Sequence, residues 1–391
     1  MQSSTRHEMH VCFLFHREFL QDCSTSMNEY PQKLAELGVE TTVVAARNSR
    51  EEPKREQING VDVHRIHSDT STALSTQPTR FGYRAMQTVD RLCATQDIDI
   101  LHMSPFPVLG GVLAPPPWLE SPSVTVIDVR HPAVRNRFFA AVARAGIRLQ
   151  RHLVDGTIVI DPHVAESLFS YTDGIDILQL GTDMTAFTPG ENPELRARWG
   201  VADDDVVVGY TGSINAPRNL QRLVDAFARV QDRHPRTKLV FVGDGNDRRR
   251  LEQHVAELGL AEAVHFTGMV DYEEMPRYVR GFDVGVGYAP DTPQYRDQPL
   301  SKTVEFLASN LAVLATDTPG NRRYVTDGDN GVLVPDTTTA LADGLERLVA
   351  SPDFRALLAD GARASVREYD YRRIVETDLL PIYERLLDET T

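Results

Sequence analysis

With 391 residues the chain is long enough for two α/β domains, each able to bury its own core, and a formal net charge of -15 excludes general nucleic-acid binding, which needs a basic face. Three cysteines, Cys12, Cys23 and Cys93, show no metal-ligand spacing and read as packing residues of a reducing compartment. Only four of the 41 basic residues are lysines (Lys33, Lys54, Lys238 and Lys302), an acidic, arginine-rich pattern similar to that of proteins from salt-loving archaea, although a GC-rich genome also raises arginine.

From the start of the chain, residues 1–10 are polar and the apolar run Val11–Phe15 is too short for a signal-peptide core or a spanning helix. The stretch Pro107–Leu119 is broken by Gly110, Gly111 and Pro115 to Pro117, so the chain is expected to stay in the cytoplasm. Strands are predicted at Val11–Phe15, Thr41–Ala46, Val61–Ile66, Ile98–Met103, Ser123–Asp128, Gly156–Ile160 and Ile177–Leu180, most of them separated by helix-length segments. The first helix is expected to open on a capping box, Ser26 with Glu29, to carry Met27, Tyr30, Leu34 and Leu37 on one face, and to stop at Gly38. The turn-rich segment Thr188 to Pro193 precedes a second series of strands, at Val206–Thr211, Lys238–Val242, Val264–Thr267, Val284–Tyr288, Ala312–Thr316 and Gly331–Val334. Strands alternating with helices predict parallel sheets covered on both faces. The expected domains are residues 1–188, residues 189–370, and a returning helix at 371–391 that packs on the first domain.

Ligands of open parallel sheets sit beyond the carboxyl ends of the strands, so the loops there carry the candidate chemistry. After Val206–Thr211 come Gly212 and Arg218, glycine and cation, which could meet a phosphate; an arginine on a solvated helix start fits that segment equally well. The turn Val242-Gly243-Asp244-Gly245 reads first as a simple strand-to-helix turn, with Gly243 a donor-side candidate. In Asp297-Gln298-Pro299-Leu300-Ser301-Lys302-Thr303-Val304-Glu305 a helix start could bind an anion through Leu300, Ser301 and Lys302, and Glu305, one turn on, could accept bonds from two sugar hydroxyls. Ordinary helix-start acidity is the bland reading of Asp297 and Glu305.

Together these segments resemble glycosyltransferase family 4. Ile177 to Pro189, with Gly181-Thr182-Asp183 and Phe187-Thr188-Pro189, is similar to the family's IPNGVDxxxFxP signature. Asp297 and Glu305 have the spacing of its E-x(7)-E motif with aspartate in first place, and Glu305-Phe306-Leu307-Ala308 and Thr316-Asp317-Thr318-Pro319-Gly320 follow in order. The resemblance implies a GT-B fold, two doubly wound Rossmann-like domains with a cleft between them, and retaining transfer of a sugar from a nucleotide diphosphate donor without metal or other cofactor. It implies that Arg218 meets the donor diphosphate, that Glu305 holds the ribose, that Asp297 lies near the transferred sugar, and that the backbone at Gly268 and Met269 meets the base. The family's second cation is replaced by Ser213, and Lys302 is the candidate to stand in for it. Its His-Asp pair after the fifth strand is Ile127-Asp128 here, leaving Asp128 and His131 as the acceptor-side catalytic candidates facing the cleft.

From Val129 to Val154 there are six arginines (130, 135, 137, 144, 148 and 151) and no acidic residue, interleaved with Phe138, Phe139, Val142, Ile147, Leu149 and Leu153. Such a run fits a helix lying on an anionic membrane face as well as a solvated helix, and it suggests an acceptor carried on polyprenyl or dolichyl phosphate. A GT-A transferase would need an Asp-x-Asp after a strand; Asp97-Ile98-Asp99 and Asp203-Asp204-Asp205 do not fit, so no metal is expected. A sugar-nucleotide 2-epimerase of GT-B fold and a non-catalytic nucleotide-sugar-binding subunit are the competing functions.

Overall fold

The computed structural model describes residues 9–16, 18–20, 26–47, 52–67, 77–105, 122–130, 137–202 and 204–390. The chain divides into a first unit, made of the residues up to Gln179 and those from Tyr371 onward, and a second unit, Leu180–Asp370.

In the first unit the strands are β1 (His10–Leu14), β2 (Glu40–Arg47), β3 (Arg55–Ile58), β4 (Val61–His67), β5 (Ile100–Met103), β6 (Val124–Val129), β7 (Gly156–Val159) and β8 (Asp176–Ile177). They form one sheet in the order β3-β4-β2-β1-β5-β6-β7-β8, parallel apart from β3, which runs antiparallel to β4. β1, β5, β6 and β7 are buried at every position, as strands covered by helices on both faces must be. β3 was not foreseen. It pairs with β4 across Asn59-Gly60, both at positive φ (48° and 83°), the two-residue hairpin turn that Asn-Gly favours.

Helix Ser26–Glu36 buries Tyr30 and Leu34 in the core under this sheet, with Met27 and Leu37 packed at its margin. It ends as expected: Gly38 takes φ 85°, and Val39 N–H returns to Leu34 O at 3.0 Å. The same core takes Tyr371, Ile374, Leu379, Tyr383 and Leu386 from the end of the chain. Leu386 lies so close under Gly156 that a Cβ there would come within 2.6 Å of it.

The second unit holds β9 (Val206–Thr211), β10 (Thr237–Val242), β11 (Val264–Gly268), β12 (Val284–Gly287), β13 (Ala312–Thr316) and β14 (Gly331–Val334), all parallel. Their order, β11-β10-β9-β12-β13-β14, is that of a doubly wound dinucleotide-type sheet and reverses between β9 and β12.

The unit boundary falls at Gln179/Leu180, not at the turn-rich segment after Phe187, which corrects the expected limits of 188 and 189. Residues 180–188 are tied to the second unit. Met184 and Phe187 join its core beside Val304 and Phe306, and the Arg363 guanidinium donates to Met184 O at 2.5 Å and to Phe187 O at 2.6 Å. Thr182 N–H donates to Tyr369 O at 2.9 Å. Proline and glycine at 189–190 signalled a turn, but the tertiary contacts that assign the preceding residues leave no local signature.

Candidate donor site in the second unit

The loops leaving β9 and β12 flank the point where the strand order reverses, the place where such sheets leave a crevice for ligands. The loop after β9 is fixed backbone to backbone by its neighbour after β10. Gly212 N–H donates to Val242 O and Ile214 N–H to Asp244 O, both at 2.9 Å. Gly243 makes that approach possible. It sits at φ 142°, and a Cβ there would meet Gly212 O at 2.1 Å. The simple-turn reading of Val242 to Gly245 therefore gives way to a loop-to-loop contact, with Asp244 held by Gly245 N–H at 2.7 Å and by Arg248 at 3.1 Å.

Two cations come together at this edge. Lys302, on helix Ser301–Ala308, is 7% exposed and places Nζ 3.7 Å from the centre of the Tyr210 ring at the end of β9. A side chain at Gly212 would crowd it, since a Cβ there would lie 3.0 Å from Nζ. Arg218, closing the short 3-10 turn Ala216–Arg218, stacks 4.6 Å over the ring of Tyr295, and its Nη1 is buried without a hydrogen bond to any described residue. The Tyr210 hydroxyl is pushed above its ordinary pKa by burial, against the pull of the Arg218 charge.

Glu305, 4% exposed, accepts a bond from the Tyr272 hydroxyl at 3.2 Å. The N-cap of its helix is Leu300, extended and without a side-chain cap hydrogen bond. Asp297 stands apart on the exposed loop, 4.0 Å from Arg296 Nε. That loop passes over Gly320, where a Cβ would meet Gln298 O at 2.2 Å, while Gly320 N–H donates to Arg296 O at 2.9 Å. Met269 lies just beyond β11 and is 67% exposed. Gly212, Arg218, Gly243, Leu300, Ser301, Lys302 and Glu305 thus lie on loops and helix starts at one end of a single sheet, with Asp297 and Met269 at its rim.

Asp128, in the first unit, is not an open acid or base. Its side chain is 0% exposed and accepts from Arg130 Nε and Nη2 at 2.8 and 2.6 Å, and His102 Nε2 lies 3.2 Å away. Arg130 also donates to Leu178 O at 2.9 Å and to the Tyr30 hydroxyl at 3.2 Å, and His102 Nδ1 lies 2.6 Å from the Tyr383 hydroxyl. Burial pushes the Asp128 carboxyl up, but the Arg130 charge and the His102 bond pull it further down, to a net position below the usual carboxylate range. The expectation that Asp128 faces a cleft is corrected: it anchors the interior of the first unit. His131 lies outside the described residues.

Arg130 therefore leaves the set of surface arginines, and two more are partly engaged. On helix Arg137–Arg151, Arg148 donates to Leu168 O, and Arg151 to the Tyr171 hydroxyl and to Asp173 O. Arg144 and Leu149 are exposed, as is Leu153 just past the helix end, whereas Ile147 is buried in the core. Arg135 and the side chains of Arg137, Phe138, Phe139 and Val142 lie outside the described residues.

The family of proteins described as glycosyl transferases group 1 matches residues 191–365, which takes in every candidate donor-side residue named above. The second unit is therefore similar to this family over most of its length. A GDP-mannose-dependent alpha-mannosyltransferase of Mycobacterium tuberculosis is 29% identical over 323 residues, covering 80% of this chain and 79% of that protein. Alpha-monoglucosyldiacylglycerol synthase of Streptococcus pneumoniae is 24% identical, covering 70% of this chain and 64% of that one. With several other relatives the alignment spans only 41% to 52% of their length. Among solved structures, sucrose-phosphate synthase of Thermosynechococcus elongatus superposes with a TM-score of 0.77 at 18% identity, covering 97% of this chain and 100% of that chain, which shows a shared GT-B fold.

Several residues of the candidate site carried no signal that single-sequence reading could use. Tyr210, Tyr272 and Tyr295 look like ordinary core or loop aromatics until their partners are seen. Asn321 is fully buried; it accepts from the Thr303 hydroxyl at 3.0 Å and donates to Gly287 O at 2.8 Å, tying the Lys302 helix to the end of β12. Its place directly after Gly320 was the available hint. Among the described residues no cluster of His, Cys, Asp or Glu could hold a metal, and no helix is long and apolar enough to cross a membrane.

Proposed function

We propose that the chain transfers a sugar from a nucleoside diphosphate to an acceptor hydroxyl with retention of configuration at the anomeric carbon. The observation that carries this reading is the pair of cations, Lys302 and Arg218, set beside two tyrosine rings at the reversal point of the sheet. Both would donate to the diphosphate and stabilise the charge that grows on it as the bond from the anomeric carbon to the leaving oxygen breaks. The acceptor oxygen forms the new bond on the same face, and its proton passes to the departing phosphate oxygen. Glu305, carried on the Lys302 helix, would accept the ribose hydroxyls, with Tyr272 holding the carboxylate until they arrive. Asp297, shorter than glutamate and on an exposed loop, would meet the transferred sugar, and the backbone at Met269 the base. The chemistry needs no metal, because the two side-chain cations supply the positive charge. NMR of the product formed from an alpha-linked nucleotide sugar should show the alpha configuration, and activity should persist with a chelator present. An inverted product, or activity lost to the chelator and restored by a divalent ion, contradicts this reading.

The acceptor in this proposal is carried at a membrane on an isoprenoid phosphate. Arg144 and Arg148 stand on the exposed side of their helix with Leu149 (47% exposed), near Leu153 (47%) and Tyr171 (45%), a cationic and apolar face on an otherwise acidic chain. The relative from Streptococcus pneumoniae is likewise named for a lipid product. Each basic residue at an anionic surface contributes about 1 kcal/mol. In sedimentation with anionic vesicles, Arg144→Glu with Leu149→Ser is expected to shift the protein from pellet to supernatant. Equal partitioning of variant and wild type would make this a solvated helix face and point to a soluble acceptor.

A further inference from the structure

Arg218 is held differently from a surface arginine. Its guanidinium lies 4.6 Å from the centre of the Tyr295 ring, yet Nη1 is buried with no hydrogen-bond partner among the described residues. A buried donor without an acceptor is costly unless a ligand completes it. Stacking on an aromatic face fixes the plane of a guanidinium without consuming its in-plane donors, which stay free to fork onto phosphate oxygens.

Tyr295 lies on the loop between β12 and the Lys302 helix, and that loop is itself braced. Tyr295 N–H donates to Thr292 O at 2.9 Å, Gln298 N–H returns to Tyr295 O at 3.1 Å, and the neighbouring carbonyl of Arg296 accepts from Gly320 N–H at 2.9 Å. The backbone that carries the ring is therefore braced beside Arg218. Lys302 over the ring of Tyr210, at 3.7 Å, repeats the device on the other side of the reversal point.

We infer that Tyr295 is a positioning residue that holds Arg218 in the orientation the donor diphosphate needs, and so couples the loop leading to Asp297 to diphosphate binding. The inference rests on the donor reading above. It assigns the work to the ring face, so the hydroxyl is dispensable.

Calorimetric titration with whichever of UDP and GDP the wild type binds, and with the matching nucleoside, tests it on Tyr295→Leu, Tyr295→Phe and Arg218→Ala. Tyr295→Leu should weaken the diphosphate about 5- to 20-fold, the range for a partly desolvated cation over a ring, and leave the nucleoside within about twofold. Tyr295→Phe should restore diphosphate affinity to within about twofold of wild type. Equal losses for nucleoside and diphosphate would mean that the ring merely supports the loop, and a phenylalanine variant as weak as leucine would place the effect in the hydroxyl; either result overturns the inference. If Arg218→Ala weakens the diphosphate and Tyr295→Leu does not, the role of Tyr295 falls and the donor site stands. If Arg218→Ala, Lys302→Ala and Tyr295→Leu all leave the diphosphate unchanged, the donor reading falls with it.

Discussion

Alanine at Lys302 or at Arg218 should weaken nucleoside diphosphate binding by about 1.5–3 kcal/mol, the range for hydrogen bonds to charged groups, and lower the rate of transfer by about 10²–10³-fold. The larger loss is expected in the rate, because negative charge on the diphosphate increases as the sugar leaves and these cations meet it in a partly desolvated place. Lys302 is 7% exposed and lies against Tyr210, so its ammonium is poorly screened by water. Arginine at position 302 should not restore activity. A planar guanidinium cannot reproduce the compact point charge of the ammonium that lies 3.7 Å from the centre of the Tyr210 ring. Calorimetry and initial rates measure both quantities, with the melting temperature of each variant as the check on folding. Wild-type affinity and rate in both alanine variants would remove the diphosphate from this site.

Asp128→Asn should destabilise the first unit by about 3–5 kcal/mol, the cost of breaking one side of a buried ion pair and leaving the other charge unmatched. The neutral amide would leave the Arg130 charge, still held by Leu178 O and the Tyr30 hydroxyl, without its counter-ion, and His102 would lose its carboxylate neighbour. At about 2–4 °C per kcal/mol for a domain of this size, the melting temperature should fall by roughly 10 °C. The pH dependence has a definite sign. The folded carboxyl titrates below its unfolded value of about 3.9, so its stabilisation is fully present above that value and is lost as pH falls through the lower, folded pKa. Calorimetric scans from neutral to acid pH should show wild type approaching the variant in stability at the acid end. A constant gap across that range, or a loss under 1 kcal/mol at neutral pH, would mean that the carboxylate does not anchor this core.

The two sheets were legible in the sequence because fully buried parallel strands appear as short β-branched runs. The candidate donor-side residues were singled out by the order of motifs in the family resemblance, since each segment alone reads as well as a solvated helix start or a simple turn. What stayed hidden depends on partners distant in the chain. Asp128 looked like a free carboxylate because His102, 26 residues before it, and Tyr383, 281 residues beyond His102, come together only in the folded unit. Arg130 counted toward a cationic surface because a run of like charges does not show which member turns inward. The tyrosines that seat Lys302 and Arg218 were missed for the same reason: Tyr295 is 77 residues from Arg218 and Tyr210 is 92 from Lys302, as their numbering shows. The Asn59-Gly60 hairpin, by contrast, was a local signal available in the sequence and overlooked.

The central claim is that the reversal point of the second sheet holds a nucleoside diphosphate, and titration of the wild-type chain with UDP, GDP, ADP and dTDP tests it most directly. At least one of the four should bind at least tenfold more tightly than its own nucleoside, since two cations met only by the phosphates would each contribute on the order of 1.5–3 kcal/mol. Binding of none of them, or equal binding of diphosphate and nucleoside, would contradict it.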